Sequence, residues 1–589
     1  MTDRPPLYGT FGVVSAPDSI TSSVGMAILE KGGNAFDAAI AIGFTLQVGA
    51  PHHAGAGGEV VATFFTKSEN AVRVLCGQGP APAGATPEAM VRLGFESVPA
   101  IGLLGAAVPG AFDGWMLMLR DYGTKSLREV LEPAIGYASS GFPAAPRLAY
   151  LVDKFKHKLL NYWPTTAEVY LEQGNAPRPY SLVKNPALAE TYSRIVREAE
   201  AASNDRDEQI EKAREVWRQG FVAAAITEFA ATPKPDLTGT LHAGLLSADD
   251  LLAYRATYEA PTTFDWGDWT LCKPGPWSQG PVMLQQLALL ADHKMDADNF
   301  DSADSIHMLS ETAKLAYADR DAYYGDNGVV PIDVLLSKEY AKQRASLITR
   351  RASLDFIPGS IAGIEPALPR FVSSLFERGT GAADDVAAGS EPKLPNGDTC
   401  YIAVVDKFGN FVSASPSGGF LMRSPVIGAL GFPLGNRLQT AWLDHGLPNT
   451  LTPGRRPRTT ICPPLAMFQG EPFMAFGSPG GDRQDQWCLQ FFLRVAGGIS
   501  PQQAIEMPRW HTEHLVSSFD PHEIHLGKLE IESSVGESVI ETLRSWGHDI
   551  EARPPKSLGR LAAAGRDIKS GLLFGAADPR GSVVQTCGR

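Results

Sequence analysis

One junction limits what this chain can become. Asn396-Gly397-Asp398-Thr399 runs directly into Cys400-Tyr401-Ile402-Ala403-Val404-Val405-Asp406. Tyr401 to Asp406 is a short, apolar, β-rich run, which reads as a buried strand. Lys407-Phe408-Gly409-Asn410 closes it as a turn, and Phe411 to Ser415 restarts as a second strand, so the pattern is a hairpin. Upstream lie Gly379-Thr380-Gly381-Ala382-Ala383-Asp384-Asp385 and Gly389-Ser390-Glu391-Pro392, which are small, acidic and poor packing material. A segment over about 372–398 is therefore expected to be mobile and to meet a core strand at a threonine. If the chain is cut between Asp398 and Thr399, the new α-amine can take the proton of the threonine's own hydroxyl. An α-amine titrates at about 7.7–8.0, close to working pH. The plainer alternative is a threonine that opens a strand after an Asx-type turn.

The bulk properties exclude some partners. The chain has 589 residues, 44% hydrophobic and 20% charged, with a formal net charge of −13 and no long basic run. Nucleic acid and anionic membrane surfaces are poor matches for that balance. Met1 to Tyr8 lacks a basic region leading into an apolar one, and no apolar run reaches the ~18 residues of a spanning helix. The expectation is a cytoplasmic protein. Six scattered cysteines without a CxxC fit reduced thiols better than a disulfide framework.

Along the chain, Gly12 to Ala16 reads as a strand, Ser22 to Lys31 as a helix stopped by Gly32-Gly33, and Asn34 to about Val48 as a buried helix. Gly55 to Gly58 allows close backbone approach before a strand over Val60 to Phe65. Neither this run nor Gly123-Thr124-Lys125-Ser126 has the spacing of a phosphate loop. Residues 100–260 read as mainly helical, and the charged stretch Ala187 to Trp217 reads as a solvated helical excursion. Further helices are expected near Val282 to Leu290, 303–323 and Asp485 to Ala496, with no internal repeat. His511-Thr512-Glu513-His514 and His522-Glu523-Ile524-His525 have ligand-like spacing. Neither is HExxH and both follow prolines in irregular sequence, so no metal is assigned. Cys400 would be the nucleophile only if the cut fell one residue later. There is no GxSxG elbow.

Four ordered stretches carry a family resemblance. Gly397-Asp398-Thr399, followed by Val404 to Ser413, resembles the small-subunit start of γ-glutamyltransferases. Gly32 to Ala39 with Pro51 to Gly58 resembles the family's opening, Gly477-Ser478-Pro479-Gly480-Gly481 its oxyanion-hole loop, and Gly575 to Arg580 its closing motif. The resemblance implies an α+β fold, the four-layer αββα sandwich of N-terminal nucleophile hydrolases. It implies autocatalytic cleavage between Asp398 and Thr399 into a large subunit, 1–398, and a small one, 399–589, which share one domain. Thr399 would be the nucleophile, Ser417 a hydroxyl partner to it, and Gly480 and Gly481 the oxyanion donors. Thr459 and Thr460 stand where the family has a serine pair that contacts a substrate carboxylate. Trp277 lies in a loop similar to the family's proline-rich loop near the cleft. No cofactor is implied. The partners would be a small-molecule amide and the two subunits of one precursor, with a homo-oligomer left open.

The departures bear on the substrate. Gln78 stands where γ-glutamyl-specific relatives have a carboxylate-binding arginine, Gly435 to Thr440 lacks the carboxylate that binds the α-amino group, and Gly419 replaces an asparagine contact. Losing polar contacts of this kind can cost selectivity of about 10⁴-fold. The reading is an amide hydrolase or acyltransferase with an altered, carboxylate-bearing acyl group, which Arg437, or more weakly Arg423 or Arg483, is expected to hold. A true γ-glutamyltransferase and an uncleaved binding homologue are the alternatives.

Overall fold

The computed structural model describes residues 2–293, 299–370, 399–580 and 584–589. The expected mobile segment and Asp398 fall outside these residues. The hairpin expected from the sequence is present: Ile402–Asp406 pairs antiparallel with Phe411–Ser417. Asp406 fastens its turn. Its carboxylate accepts the backbone N–H of Phe408 at 2.9 Å and of Asn410 at 3.0 Å. It also accepts the Asn410 side-chain amide and the N–H of Ala35, both at 2.8 Å. The turn is thereby tied to the start of the helix Ala35–Gly49. Burial pushes the Asp406 carboxyl up, and these four donors oppose that shift.

The hairpin sits at the centre of a seven-stranded sheet. Gly12–Ala16 and Gln585–Gly588 flank it on one side, and Glu59–Thr66, Ala71–Gly77 and Thr257–Glu259 on the other. A second seven-stranded sheet runs Leu7–Gly9, Leu573–Ala577, Ala562–Arg566, Glu471–Gly477, Leu465–Phe468, Trp269–Lys273, Thr262–Trp266. Strands from before 371 and after 398 interleave in both sheets, so one core holds both parts. Period-two side-chain alternation explains why the central strands are apolar throughout. Ile402 and Val404 enter a core shared with the helices Ala35–Gly49 and Ala111–Tyr122. Ala403 and Val405 point the other way, into a core between the two sheets with Ala475 and Ala564. The far face of the second sheet packs on the helices Pro281–Leu290 and Gln484–Ala496. The layers are α, β, β, α, as expected.

Local details correct parts of the sequence reading. The first helix spans Ser19–Glu30, three residues earlier than expected, because Asp18 caps it by accepting the Thr21 N–H at 2.8 Å. Asn34 caps the next helix in a reciprocal capping box with Asp37. The charged stretch 187–217 is helical, as expected, but it is not a solvated excursion. It forms two helices, Pro186–Ala202 and Arg206–Gln219, whose apolar residues Tyr192, Ile195, Val196, Val216 and Trp217 are core. Apolar residues at three- and four-residue spacing give each helix a buried stripe that mean charge conceals. None of the six cysteines is in a disulfide.

Asp406→Ala removes the acceptor of the Ala35 N–H and breaks the turn. Each orphaned donor costs about 1–3 kcal/mol. The melting temperature should fall by several degrees in a thermal scan, and an unchanged value would show that the turn holds without its carboxylate.

Candidate functional site

Thr399 precedes the central strand and continues its ladder. It pairs antiparallel with Ser417, and the Cys400 N–H donates to the Pro416 carbonyl at 3.1 Å. The two hydroxyls are therefore neighbours: Thr399 Oγ1 lies 3.1 Å from Ser417 Oγ, with both residues buried. Alternation turns Cys400 away, into the helix-facing core, where its thiol has no route to this side.

Behind Ser417 the chain turns through Gly418 and Gly419, both with positive φ, 72° and 61°. A Cβ on Gly418 would lie 2.5 Å from the Glu59 carboxylate, and one on Gly58 would lie 2.2 Å from the Ser417 carbonyl. The Gly55–Gly58 run is thus a close approach of two backbones, sealed by the Gly55 N–H to Gly418 carbonyl bond at 2.9 Å. It places Glu59 beneath Ser417. Arg437, in the short 3-10 helix Arg437–Thr440, closes on Glu59: Nε donates to Oε1 at 2.7 Å, and Nη2 contacts the same carboxylate. Nη2 also donates to Ser417 Oγ at 3.2 Å. Burial raises the Glu59 pKa, and Arg437 counters it. Arg437, expected to hold a substrate carboxylate, thus has its guanidinium engaged by Glu59 and Ser417 inside the protein. Arg483 is likewise paired with Glu513.

Gly480 and Gly481 join the strand Glu471–Gly477 to the helix Gln484–Ala496. Gly480 has φ +145°, and a Cβ there would lie 2.3 Å from the Trp487 ring; Gly481 has φ +59°. Asp482 anchors the loop, accepting the Ser518 N–H at 2.9 Å and contacting Arg320. Thr459 pairs with Ser278, and its hydroxyl accepts the Ile461 N–H at 3.2 Å. The Thr460 hydroxyl is buried with no hydrogen-bond partner among the described residues. Trp277 donates to Glu259 at 2.6 Å and stacks against Arg456, away from Thr399.

Thr399 opens into a cavity of about 430 Å³, within the ~300–1,000 Å³ range of small-molecule sites. Pro479, from the glycine loop, lines it, as do His52, Arg560 and Asp18. Arg437, Arg423 and Gln78 do not. Sequence reasoning missed Glu59, His52 and Arg560. An acid opening an otherwise apolar strand, directly after a glycine run, was the available signal for Glu59.

The two histidine pairs flagged by spacing do not assemble. His511, Glu513 and Glu530 come within ligand distance of one another, but His514, His522 and His525 lie outside that group. Its carboxylates already have cations: Arg483 on Glu513 and Arg553 on Glu530. Burial would raise the Glu513 carboxyl, yet His511 and Arg483 hold it down to about 2. A second group, His307, Glu311 and His548, was not anticipated. Lys314 occupies its carboxylate at 2.6 Å, and the two imidazoles bond each other at 2.8 Å.

The chain matches the family model described as gamma-glutamyltranspeptidase over residues 21–586. It is 32% identical to the glutathione hydrolase-like YwrD proenzyme of Bacillus subtilis (strain 168), covering 98% of each chain. It is 30% identical to the oxamate amidohydrolase proenzyme of Klebsiella pneumoniae subsp. pneumoniae, covering 97% of each. The solved structure of LmbA2991HD superposes with a TM-score of 0.93 at 48% identity, covering 100% of both chains. With the sandwich in place and the match running nearly end to end, the chain belongs to the γ-glutamyltranspeptidase family and is an N-terminal nucleophile amidohydrolase.

Proposed function

We propose that the protein is a self-cleaving amide hydrolase that uses Thr399 as its nucleophile. The observation that carries this reading is the Thr399 hydroxyl, 3.1 Å from Ser417 Oγ and facing a small-molecule cavity. In maturation, Thr399 Oγ1 attacks the Asp398 carbonyl carbon, the peptide nitrogen leaves as the free α-amine, and water hydrolyses the resulting ester. Asp398 becomes a carboxylate and Thr399 an N-terminal residue. In turnover the α-amine accepts the Oγ1 proton while Oγ1 attacks the substrate carbonyl. The backbone N–H groups of Gly480 and Gly481 receive the oxyanion, a contribution of about 3 kcal/mol for each such donor. The leaving amine takes the proton, and water or an acceptor amine releases the acyl group.

Ser417 has a defined part. Arg437 can only donate, so its bond to Ser417 occupies an oxygen lone pair. The Ser417 proton is then left to point at Thr399 Oγ1, where it stabilises the developing alkoxide. Glu59 holds Arg437 in that pose, so the pair positions the nucleophile and does not touch the substrate.

The acyl group assigned is a carboxylate-bearing one. The missing γ-glutamyl contacts and the oxamate amidohydrolase relative support it. The glutathione hydrolase-like relative supports a γ-glutamyl group as the second reading.

Intact-mass measurement of purified protein should give two fragments divided between Asp398 and Thr399, and Thr399→Ala should give one. A wild-type chain that stays whole would favour a non-catalytic binding protein. Turnover by mature enzyme should rise about tenfold per pH unit below an inflection at about 7.7–8.0 and then level off, because only the neutral α-amine is a base. Self-cleavage should lack this limb, since the nitrogen is then a peptide amide; an identical profile for both would refute the α-amine role. Glu59→Gln should lower kcat about tenfold, in line with loss of a charge-assisted bond, with KM unchanged. A change confined to KM would contradict the positioning role.

A further inference from the structure

We propose that Arg560 is the residue that holds the substrate carboxylate, making the cavity at Thr399 a site for acyl groups that end in a carboxylate. The inference rests on the hydrolase reading above and names its substrate class. Arg560 is the one lysine or arginine among the cavity's lining residues. Its guanidinium has no ion pair or hydrogen bond among the described residues, unlike Arg437, Arg456 and Arg458, which are all spent on carboxylates. The backbone places it where a ligand can reach it: its N–H donates to Ser478 Oγ at 3.2 Å, so it is stitched to the loop that leads into Gly480. An arginine held there faces the same space as the nucleophile and stands beside the expected oxyanion donors.

A second, independent observation points to a ligand. His52 lines the same cavity, is 4% exposed, and its Nδ1 has no hydrogen-bond partner. Burial holds its pKa well below the ordinary value, with His53, Arg147 and Arg560 adding to the effect, so it is a neutral imidazole. A neutral, buried imidazole and a guanidinium without a partner among the described residues are polar groups on the wall of a cavity otherwise lined by groups such as Ile20, Phe142 and Val584. A carboxylate entering that cavity would take charge-assisted bonds from Arg560. Asp18 is the only acid in the cavity lining. Its Oδ1 is committed to capping the first helix, and burial raises its pKa, which lessens its competition for the guanidinium. The acyl carbonyl would sit at Thr399 and the carboxylate at Arg560, with the leaving amine directed outward.

The test is calorimetric binding of glutarate, L-glutamate and butyrate to the full-length protein as purified. Glutarate or L-glutamate should bind at least tenfold more tightly than butyrate. Arg560→Gln should abolish that preference, and Arg560→Lys should keep part of it. L-glutamate above glutarate would add an ammonium contact to the same Arg560 anchor. Equal affinity for the dicarboxylates in wild type and Arg560→Gln, or no preference over butyrate in wild type, would overturn the assignment. Intact mass of the same sample separates the two readings: an uncut chain counts against the hydrolase, whereas the binding comparison judges Arg560 directly.

Discussion

Everything at this site depends on one antiparallel ladder. The hairpin fixes which residue of Phe411–Ser417 stands opposite each residue of the preceding strand, from Val405↔Phe411 to Ile402↔Ala414. The Thr399–Ser417 pair continues that count past the regular strand. A one-residue slip would turn Thr399 into the helix-facing core and bring Cys400 to the cavity, since side chains alternate across a sheet. The register is protected on both faces. Ile402 and Val404 are packed under helices while Ala403 and Val405 are packed between sheets, so a slip would exchange large and small side chains between two close-packed cores. Asp406 pins the far end by binding the turn and the adjoining helix together.

The second constraint is electrostatic. Glu59 and Arg437 are each buried, at 4% and 5% exposure. Removing one partner from a buried ion pair typically costs about 3–5 kcal/mol, although the intact pair adds little net stability. The pair is better understood through what it orients. Glycines at 55 and 58 let the strand carrying Glu59 come against the Ser417–Gly419 turn at distances a Cβ would forbid, and Gly57 does the same against Pro433 and Leu434. The chain accepts that glycine-rich, entropically costly geometry, and gains a cation whose further donor ends on Ser417, the neighbour of Thr399.

Much of this was legible in the sequence. The central hairpin, the two opening helices and the layered class follow from runs and caps in the residues themselves, and Asn34 marks its helix start within one position. Thr399 and Ser417 were identified by motif, and the structure brings their hydroxyls together. What failed was charge. Arg437 is conspicuous in sequence because it stands where relatives have a neutral residue, but sequence cannot show that Glu59, 378 positions away, neutralises it. Arg560 was invisible for the converse reason: the role proposed for it rests on its having no partner among the described residues, which only the surrounding fold reveals. The 187–217 stretch failed similarly, since its charges dominate the composition while a few well-spaced apolar residues decide its burial.

The glycine loop and the threonine pair are far apart in sequence, yet one buried network relates them. Arg320, near the end of the helix Ala303–Tyr323, binds Asp482 just after the glycines. Its neighbour Asp321 binds Arg458 at 2.6 Å, directly before Thr459 and Thr460. Arg458 also donates to the Arg320 carbonyl at 2.9 Å. Two guanidinium groups and two carboxylates therefore balance within one desolvated cluster. For the oxyanion role proposed for Gly480 and Gly481, a network like this would hold the donors in place before charge develops, which is the condition under which such stabilisation is large. Had the loop been tethered only by backbone turns, Gly480 at φ +145° would have had many alternatives open to it. The Trp487 ring and the Asp482 anchor remove them, so the freedom that makes glycine necessary there is spent on a single conformation.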